Sequence, residues 1–594
     1  MKVLLFCTLM RSFFKMVLAT MLGMLLTGIL LFILVLVVAG LAFSGMNKQP
    51  TVPETAVLEF RLPMSFPERS PYNPFDQLQE SGASSAQLGL LDILQTLDRA
   101  VGDSRIKGIV IRPEMLMSGM ASVAEVRNKI LSFRKSGKFV YCYADFMTEM
   151  GYYLASACDK VVMNPAGEMM FDGFAGGVVM YKGLLDKAGI SFQVFRAGKY
   201  KSAVEPFIQK QLSKENREQV QHLVNSMYGV FIRDISSARK VDSAALVAYA
   251  RELAVRGPSE ALQLKIIDAV MPYHQFVEMV ELKAGLKGKE LKSWVAFADY
   301  HKTKDDTETY SRDKIAVVYG IGEIEYGSRN EPELINSKTM ADAIRKARED
   351  KQVKAVVLRI NSPGGSSLAS DIIAHEVELT RKVKPVIASF GDVAASGGYY
   401  IACLADTIVC LPQTITGSIG VFGLFPNTQK LFQEHLGLSY ESVPTGENSD
   451  FARPDRPLNA AQSAFIQHSV NRIYSDFLNI VARGRKLDTA YVNSIAQGRV
   501  WPGTDALALK LADVHGGFET ALKLAASRAK IGKYRVVEYP ENRFTLAAFF
   551  GSLGNTDAAL RQALGTNYEV YRKAVRAEQV KGIQMRMPFD LSVQ

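Results

Sequence analysis

Residues 105–112 (RIKGIVIR) recur as QVKAVVLR at 352–359, residues 150–165 (MGYYLASACDKVVMNP) recur as GGYYIACLADTIVCLP at 397–412, and Gly173 matches Gly420, all at an offset of 247. Downstream the offset drifts by a residue or two: GISF at 189–192 pairs with GLSY at 437–440, ARKVD at 238–242 with GRKLD at 484–488, and SEALQLKIID at 259–268 with TDALALKLAD at 504–513. A chain that contains itself twice must build two copies of one plan. The expected organisation is a first unit over 49–291, a polar linker over 292–312, a second unit over 313–545 and a tail over 546–594.

Short β-branched runs (KAVVLRI, KPVIASF, DTIVCL) alternate with helix-like stretches such as ASDIIAHEVELTRK, whose apolar residues recur at helical spacing. Strand, helix, strand repetition predicts an α/β fold with mostly parallel strands, whose ligands bind beyond the strands' carboxyl ends.

Ahead of the first unit, residues 16–44 carry no charge and are long enough, at ~1.5 Å per residue, to cross a bilayer as a helix. The run is about twice as long as the 7–15-residue apolar core of a cleavable signal, although Ala39 to Ala42 resembles a cleavage site faintly, so a retained anchor over residues 1–48 is expected. Lys2, Arg11 and Lys15 precede it and Lys48 follows, which by the positive-inside rule keeps the amino terminus cytoplasmic. The run Phe544 to Leu553 is too short to span. These four basic residues account for much of the net charge of +10, and the remainder is too dilute for a nucleic-acid footprint. The five cysteines form no CxxC pair; neither a disulfide framework nor a zinc site is signalled, and Cys142 and Cys410 read as small buried hydrophobes.

After the strand KAVVLRI comes Asn361-Ser362-Pro363-Gly364-Gly365-Ser366 and then a helix. Paired glycines let the backbone approach a ligand, and N–H groups near a helix start can hold developing negative charge, although such turns are also ordinary punctuation. After KPVIASF comes Gly391-Asp392-Val393-Ala394-Ala395-Ser396-Gly397-Gly398, placing Ser396 as a nucleophile, or a helix cap, at a strand-to-helix turn. None of the seven histidines stands in a recognisable partner motif, so a lysine base is the better alternative. Aligning the repeats puts Glu149 opposite Ser396 and Met117-Ser118 opposite Gly364-Gly365, while Lys201 of AGKYKSAVEPF falls opposite Asn448 or Ser449. Each unit holds what the other lacks, as expected if one active site forms at their junction. Lys201 could act as a base near neutral pH if desolvation against Ala203, Val204 and Phe207 lowers its pKa.

Taken together, the anchor, the doubled unit, YKSAVEPF, NSPGG, GDVAASGGYYIA, TGSIGVFG, and GRVWPG followed by VHGGFETAL resemble the long, two-domain form of signal peptide peptidase A, the protease IV type, from the anchor to about residue 540. The resemblance implies tandem duplicated domains of the Clp protease and crotonase superfamily behind a transmembrane helix. It implies a membrane-bound serine endopeptidase with Ser396 as nucleophile, Lys201 as general base, an oxyanion hole from backbone groups of Gly364, Gly365 and Gly397, and Ser418 of TGSIG as an auxiliary residue. It further implies a homotetrameric dome in the bacterial inner membrane with periplasmic catalytic domains, degrading cleaved signal peptides. KLADVHGG departs from the family's usual GLVD before the Gly-Gly pair, away from the dyad. No metal or cofactor is implied, and neither a Walker A motif nor HExxH occurs.

Two other readings remain open at this level. A crotonase-like enzyme acting on acyl thioesters would use the same paired amides to stabilise an enolate, and a membrane-anchored scaffold would explain a unit that has replaced its nucleophile by Glu149.

Overall fold

A computed structural model describes residues 13, 15–34, 50–71, 88–113, 115–286, 293–303, 311–328, 334–451, 453–540 and 583–587. Lys2, Cys7, Arg11, Ala39 to Ala42, Lys48 and Phe544 to Leu553 lie outside them. The apolar run begins as a helix, Lys15–Leu34, long and apolar enough to cross a membrane and with none of its surface buried against the rest of the chain.

The first unit is a parallel sheet built from β1 (Ala56–Arg61), β2 (Ile106–Arg112), β3 (Phe139–Met147) and β4 (Lys160–Met169), with the short β6 (Ala269–Val270) and β7 (Trp294–Ala296) on its two flanks, in the order β7-β1-β2-β3-β4-β6. The second unit repeats it with β8 (Lys314–Ile321), β11 (Val353–Ser362), β13 (Val386–Ala395), β14 (Thr407–Cys410), β18 (Val514–His515) and β19 (Arg535–Tyr539), ordered β19-β8-β11-β13-β14-β18. The duplicated sequence is thus a duplicated topology. The central strands are buried on both faces, which is why VKAVVLRI reads as a near-continuous apolar run without strict alternation. Helices match as well: Lys214–Arg239 and Ala460–Arg485 are each capped by a polar side chain, Ser213 and Asn459, and each ends on a lysine at positive φ, Lys240 and Lys486.

Some segments depart from the sequence expectation. Within the stretch read as a linker, β7 joins the first sheet and the helix Phe297–Lys302 buries Phe297 and Tyr300; residues 304–310 are outside the described set. Gly364–Ser366 is a short strand, β12, before the helix Ser367–Arg381. β15 (Ile415–Gly417) pairs with β13 and with β17 (Val500–Pro502).

The units share one core, in which Leu58, Ile109 and Phe231 of the first belong with Ile315, Val357 and Phe518 of the second. A buried charge cluster crosses it. Arg359 on β11, with no exposed surface, pairs with Glu68 (Nε to Oε2, 2.7 Å) and Glu125 (Nη2 to Oε1, 2.8 Å), donates to Ser389 Oγ at 3.0 Å and lies over the Phe518 ring. Asp392 likewise reaches across to Ser122, accepting from its N–H at 2.9 Å and its hydroxyl at 2.6 Å.

A third sheet joins the units directly. β5 (Ser191–Ala197) leaves the first unit and pairs antiparallel with β16 (Val421–Asn427) of the second, from Ser191 opposite Asn427 to Ala197 opposite Val421. The sheet continues through β20 (Ile583–Arg586), β12, β9 (Glu323–Glu325) and β10 (Leu334–Asn336). Removing one member of a buried charge cluster leaves the others uncompensated, so Arg359→Leu is expected to cost about 3–5 kcal/mol of stability. Replacing Glu68, Glu125 and Arg359 together by apolar residues is expected to cost far less; urea unfolding of both variants measures the difference.

Candidate active site

Ser396 is the single residue between the end of β13 and the helix Gly397–Ala402, at φ 53° and ψ −114°. A non-glycine residue held at positive φ is strained, and here the turn is fixed by the Ser396 N–H donating to Gly417 O at 2.8 Å and by Tyr400 N–H donating to Ser396 O at 2.8 Å. The sharp strand-to-helix turn that the sequence predicts at Ser396 is present.

Four residues past β5, Lys201 arrives at the same point. Its Nζ lies 2.7 Å from Ser396 Oγ and 3.0 Å from both the carbonyl oxygen and the hydroxyl of Ser418, and the side chain has no exposed surface. Burial without a carboxylate neighbour pushes the amine well below the ordinary lysine value of 10.5. A neutral amine can then accept the Ser396 proton. The residues read from the sequence as its apolar wall, Ala203, Val204 and Phe207, pack on Phe422 and Leu424, while Lys201 itself lies against Gly420, Gly498, Ser396 and Ser418.

The approach of the lysine requires a gap in the second unit. A Cβ on Gly498 would stand 2.6 Å from Lys201 N and Cβ, and Gly498 itself sits at φ +77°. Tyr200 N–H donates to Gln497 O at 2.8 Å, so the lysine loop is tied to that turn by its backbone. Gln219, fully buried, donates to Tyr200 O at 3.1 Å and Ser202 Oγ at 2.8 Å while accepting from Val500 N–H at 3.2 Å. Glu205, also buried, accepts from Ser213 Oγ at 2.5 Å and Asn216 Nδ2 at 2.9 Å, bracing the same loop. Sequence reasoning missed Gln219 and Glu205, because a lone amide or carboxylate on a loop or helix carries no spacing signal.

Ser418 stands at φ 52° with its N–H donating to Arg499 O at 2.7 Å, which holds its hydroxyl on the lysine. Gly364 and Gly397 touch through their backbones: a Cβ on Gly364 would lie 2.7 Å from Gly397 N, and one on Gly397 would lie 3.2 Å from Gly364 Cα. Gly364 N–H is engaged by Ser362 Oγ at 3.2 Å, and Gly365 is held in β12 opposite Ile324. The structure therefore brings Ser396, Lys201, Ser418, Gly364, Gly365 and Gly397 into one region.

In the first unit the equivalent of the serine is Glu149, whose carboxylate accepts from Asp172 N–H at 3.1 Å and Gly173 N–H at 2.8 Å and whose pKa burial raises to about 7. It closes its own turn. Cys142 and Cys410 are buried as expected, their thiols pushed up by burial, Cys410 to about 12. The imidazoles of His222 and His301 bond Asp505 and Thr96, at 2.7 and 2.8 Å.

The model of peptidase family S49 matches this chain twice, over residues 132–287 and 378–532. Protease 4 of Salmonella typhi is 34% identical over 498 residues, covering 81% of this chain and 79% of that protein. The chloroplastic serine protease SPPA of Arabidopsis thaliana is 32% identical over 493 residues, 81% of this chain and 72% of that one. Among solved structures, the membrane-bound stomatin-specific protease 1510-N, as a K138A mutant with a substrate peptide, aligns at a TM-score of 0.26 with 14% identity over 41% of this chain and 98% of that one.

Burying Lys201 carries a pH-dependent stability penalty. Because its folded pKa is depressed, the unfolded chain binds the extra proton between that value and 10.5, so the penalty builds as pH falls through this window and is constant below it. Lys201→Met removes the penalty; its melting temperature relative to wild type is expected to be highest at low pH and to lose that advantage as pH rises toward 10.5.

Proposed function

Since the chain belongs to peptidase family S49 and is a serine protease, we propose that it is a membrane-anchored endopeptidase whose Ser396 and Lys201 form a nucleophile and base dyad. The observation that carries this reading is the 2.7 Å approach of a fully buried Lys201 Nζ to Ser396 Oγ. In the proposed reaction neutral Lys201 takes the Ser396 proton as Oγ attacks the peptide carbonyl, and the N–H of Gly397, with the Gly364-Gly365 backbone, stabilises the tetrahedral oxyanion. Lys201 then protonates the leaving amine, and a water deprotonated by the same amine hydrolyses the acyl-enzyme. Ser418 keeps Nζ aimed at Oγ through both steps.

The helix Lys15–Leu34 supports a single-pass anchor, and the basic residues before it support a cytoplasmic amino terminus, with both repeat units on the far side of a bacterial inner membrane. An enzyme tethered there meets peptides left in the bilayer, and cleaved signal peptides are the proposed substrates.

Assembly into a homotetramer is part of the proposal, and the internal repeat supports head-to-tail self-association. β5 crosses to β16, but their repeat equivalents, residues 439–445 and 174–180, make no such pairing, and Leu438, Tyr440, Val443 and Val179 are exposed. One copy's 439–445 can therefore add to the next copy's 174–180 in a head-to-tail ring. Analytical ultracentrifugation of the detergent-solubilised chain is expected to give tetramers, and Val443→Asp to shift it toward smaller species.

The dyad is tested by cleavage of a fluorogenic leucine- or alanine-rich peptide. Ser396→Ala and Lys201→Ala are each expected to lose about a thousandfold or more in kcat/KM with the fold intact, while Glu149→Ala retains activity. Wild-type kcat/KM is expected to rise with pH through a midpoint well below 10.5, because only the neutral amine accepts the proton. Normal cleavage by Lys201→Ala overturns the assignment of the base.

A further inference from the structure

The third sheet contains a strand from far along the chain. β20 lies between β12 and β16 and runs antiparallel to both. Gln584 stands opposite Ser366 and Phe422, Met585 opposite Gly365, Arg586 opposite Gly364, and Ile583 opposite Gly423. Further bonds secure the ends: Met587 N–H donates to Pro363 O at 2.6 Å, Ser367 Oγ donates to Ile583 O at 3.2 Å, and Arg586 pairs with Glu323 at 2.8 Å. Met585 and Met587 are 1% and 5% exposed.

The position of this strand relative to Ser396 is what gives it meaning. A Cβ on Gly364 would lie 2.1 Å from Met585 O and 2.7 Å from Gly397 N, and a Cβ on Gly397 would lie 3.1 Å from Met585 O. The Met585 carbonyl therefore sits beside the first N–H after Ser396, where a scissile carbonyl must be held for attack. Main-chain pairing on both sides with alternate side chains, Met585 and Met587, buried is also how an extended peptide is recognised by strand addition.

We infer that the gap between β12 and β16 is the peptide-binding groove and that the chain's own residues 583–587 are its resident occupant, so that substrate strands bind only after displacing them. The inference rests on the Ser396 and Lys201 reading for its catalytic consequence, but the occupancy itself is a matter of strand pairing. A groove filled for most of the time raises the apparent KM by the inverse of its free fraction and leaves kcat unchanged once substrate has displaced the strand.

The test uses the full-length chain in detergent. Met585→Asp places a charge at a buried position, and Gln584→Pro removes a backbone N–H from the strand; either is expected to lower KM for the fluorogenic peptide about tenfold at constant kcat and to speed labelling of Ser396 by a fluorophosphonate probe by a similar factor. A synthetic peptide spanning residues 582–588 is expected to inhibit both variants competitively. Hydrogen exchange at 364–366 and 421–427 reads occupancy without catalysis and is expected to accelerate in both variants. Unchanged exchange together with unchanged KM and labelling overturns the inference. Accelerated exchange in a protein that neither labels nor cleaves upholds the occupancy while overturning the Ser/Lys reading.

Discussion

The antiparallel pairing of β5 with β16 is the constraint from which the site follows. Lys201 is only four residues beyond Ala197, so once Ala197 is fixed opposite Val421 the amine has little freedom in where it can arrive. Its loop is then clamped by Tyr200 on Gln497 and by Gln219 between Ser202 and Val500. Ser396 is fixed independently, by β13 and its bond to Gly417. Two arms from different units meet at 2.7 Å, which is the kind of preorganisation that the proposed dyad demands.

Duplication explains why such a division of labour is tolerable. Two copies of one sheet plan, with matching strand orders, supply two strand-to-helix turns, of which the proposed dyad uses one. In the other, Glu149 bonds the Asp172 and Gly173 amides and braces the turn locally. The lysine is a different matter. A fully buried amine with no carboxylate beside it lowers stability wherever the unfolded chain would hold its proton, and the shared core, with Arg359 held between Glu68 and Glu125, keeps the junction closed around it.

The parts legible in the sequence were those with a local pattern or an internal control. The parallel strands announced themselves as β-branched runs, and the offset of 247 made the two units, the missing serine in the first and the missing lysine in the second visible from one chain. What stayed hidden was long-range. Nothing in SFQVFRA marks it for the other unit's sheet, because its partner β16 lies far along the chain, at Val421–Asn427, and the ladder between them is made by backbone groups rather than by side chains. Glu68, Glu125 and Arg359 are unremarkable charges until the fold buries them together, and the stretch from 292 looked like a linker because its polar residues outnumber the short apolar pieces that form β7 and the helix Phe297–Lys302.

Backbone pairing of the same kind bears on β20. The proposed groove between β12 and β16, which would hold an inserted strand by main-chain pairing, has no means of refusing a segment of its own chain that can reach it. Tethering favours the resident segment, since a strand on the same chain binds intramolecularly, at an effective concentration that a free peptide must match. A competing peptide must be concentrated by comparable means, and confinement to the membrane of the proposed anchor would do this for apolar peptides and not for soluble ones. On the proposed reading, selectivity for membrane-borne substrates arises from the competition itself, with the buried positions of the Met585 and Met587 side chains adding a requirement for apolar residues.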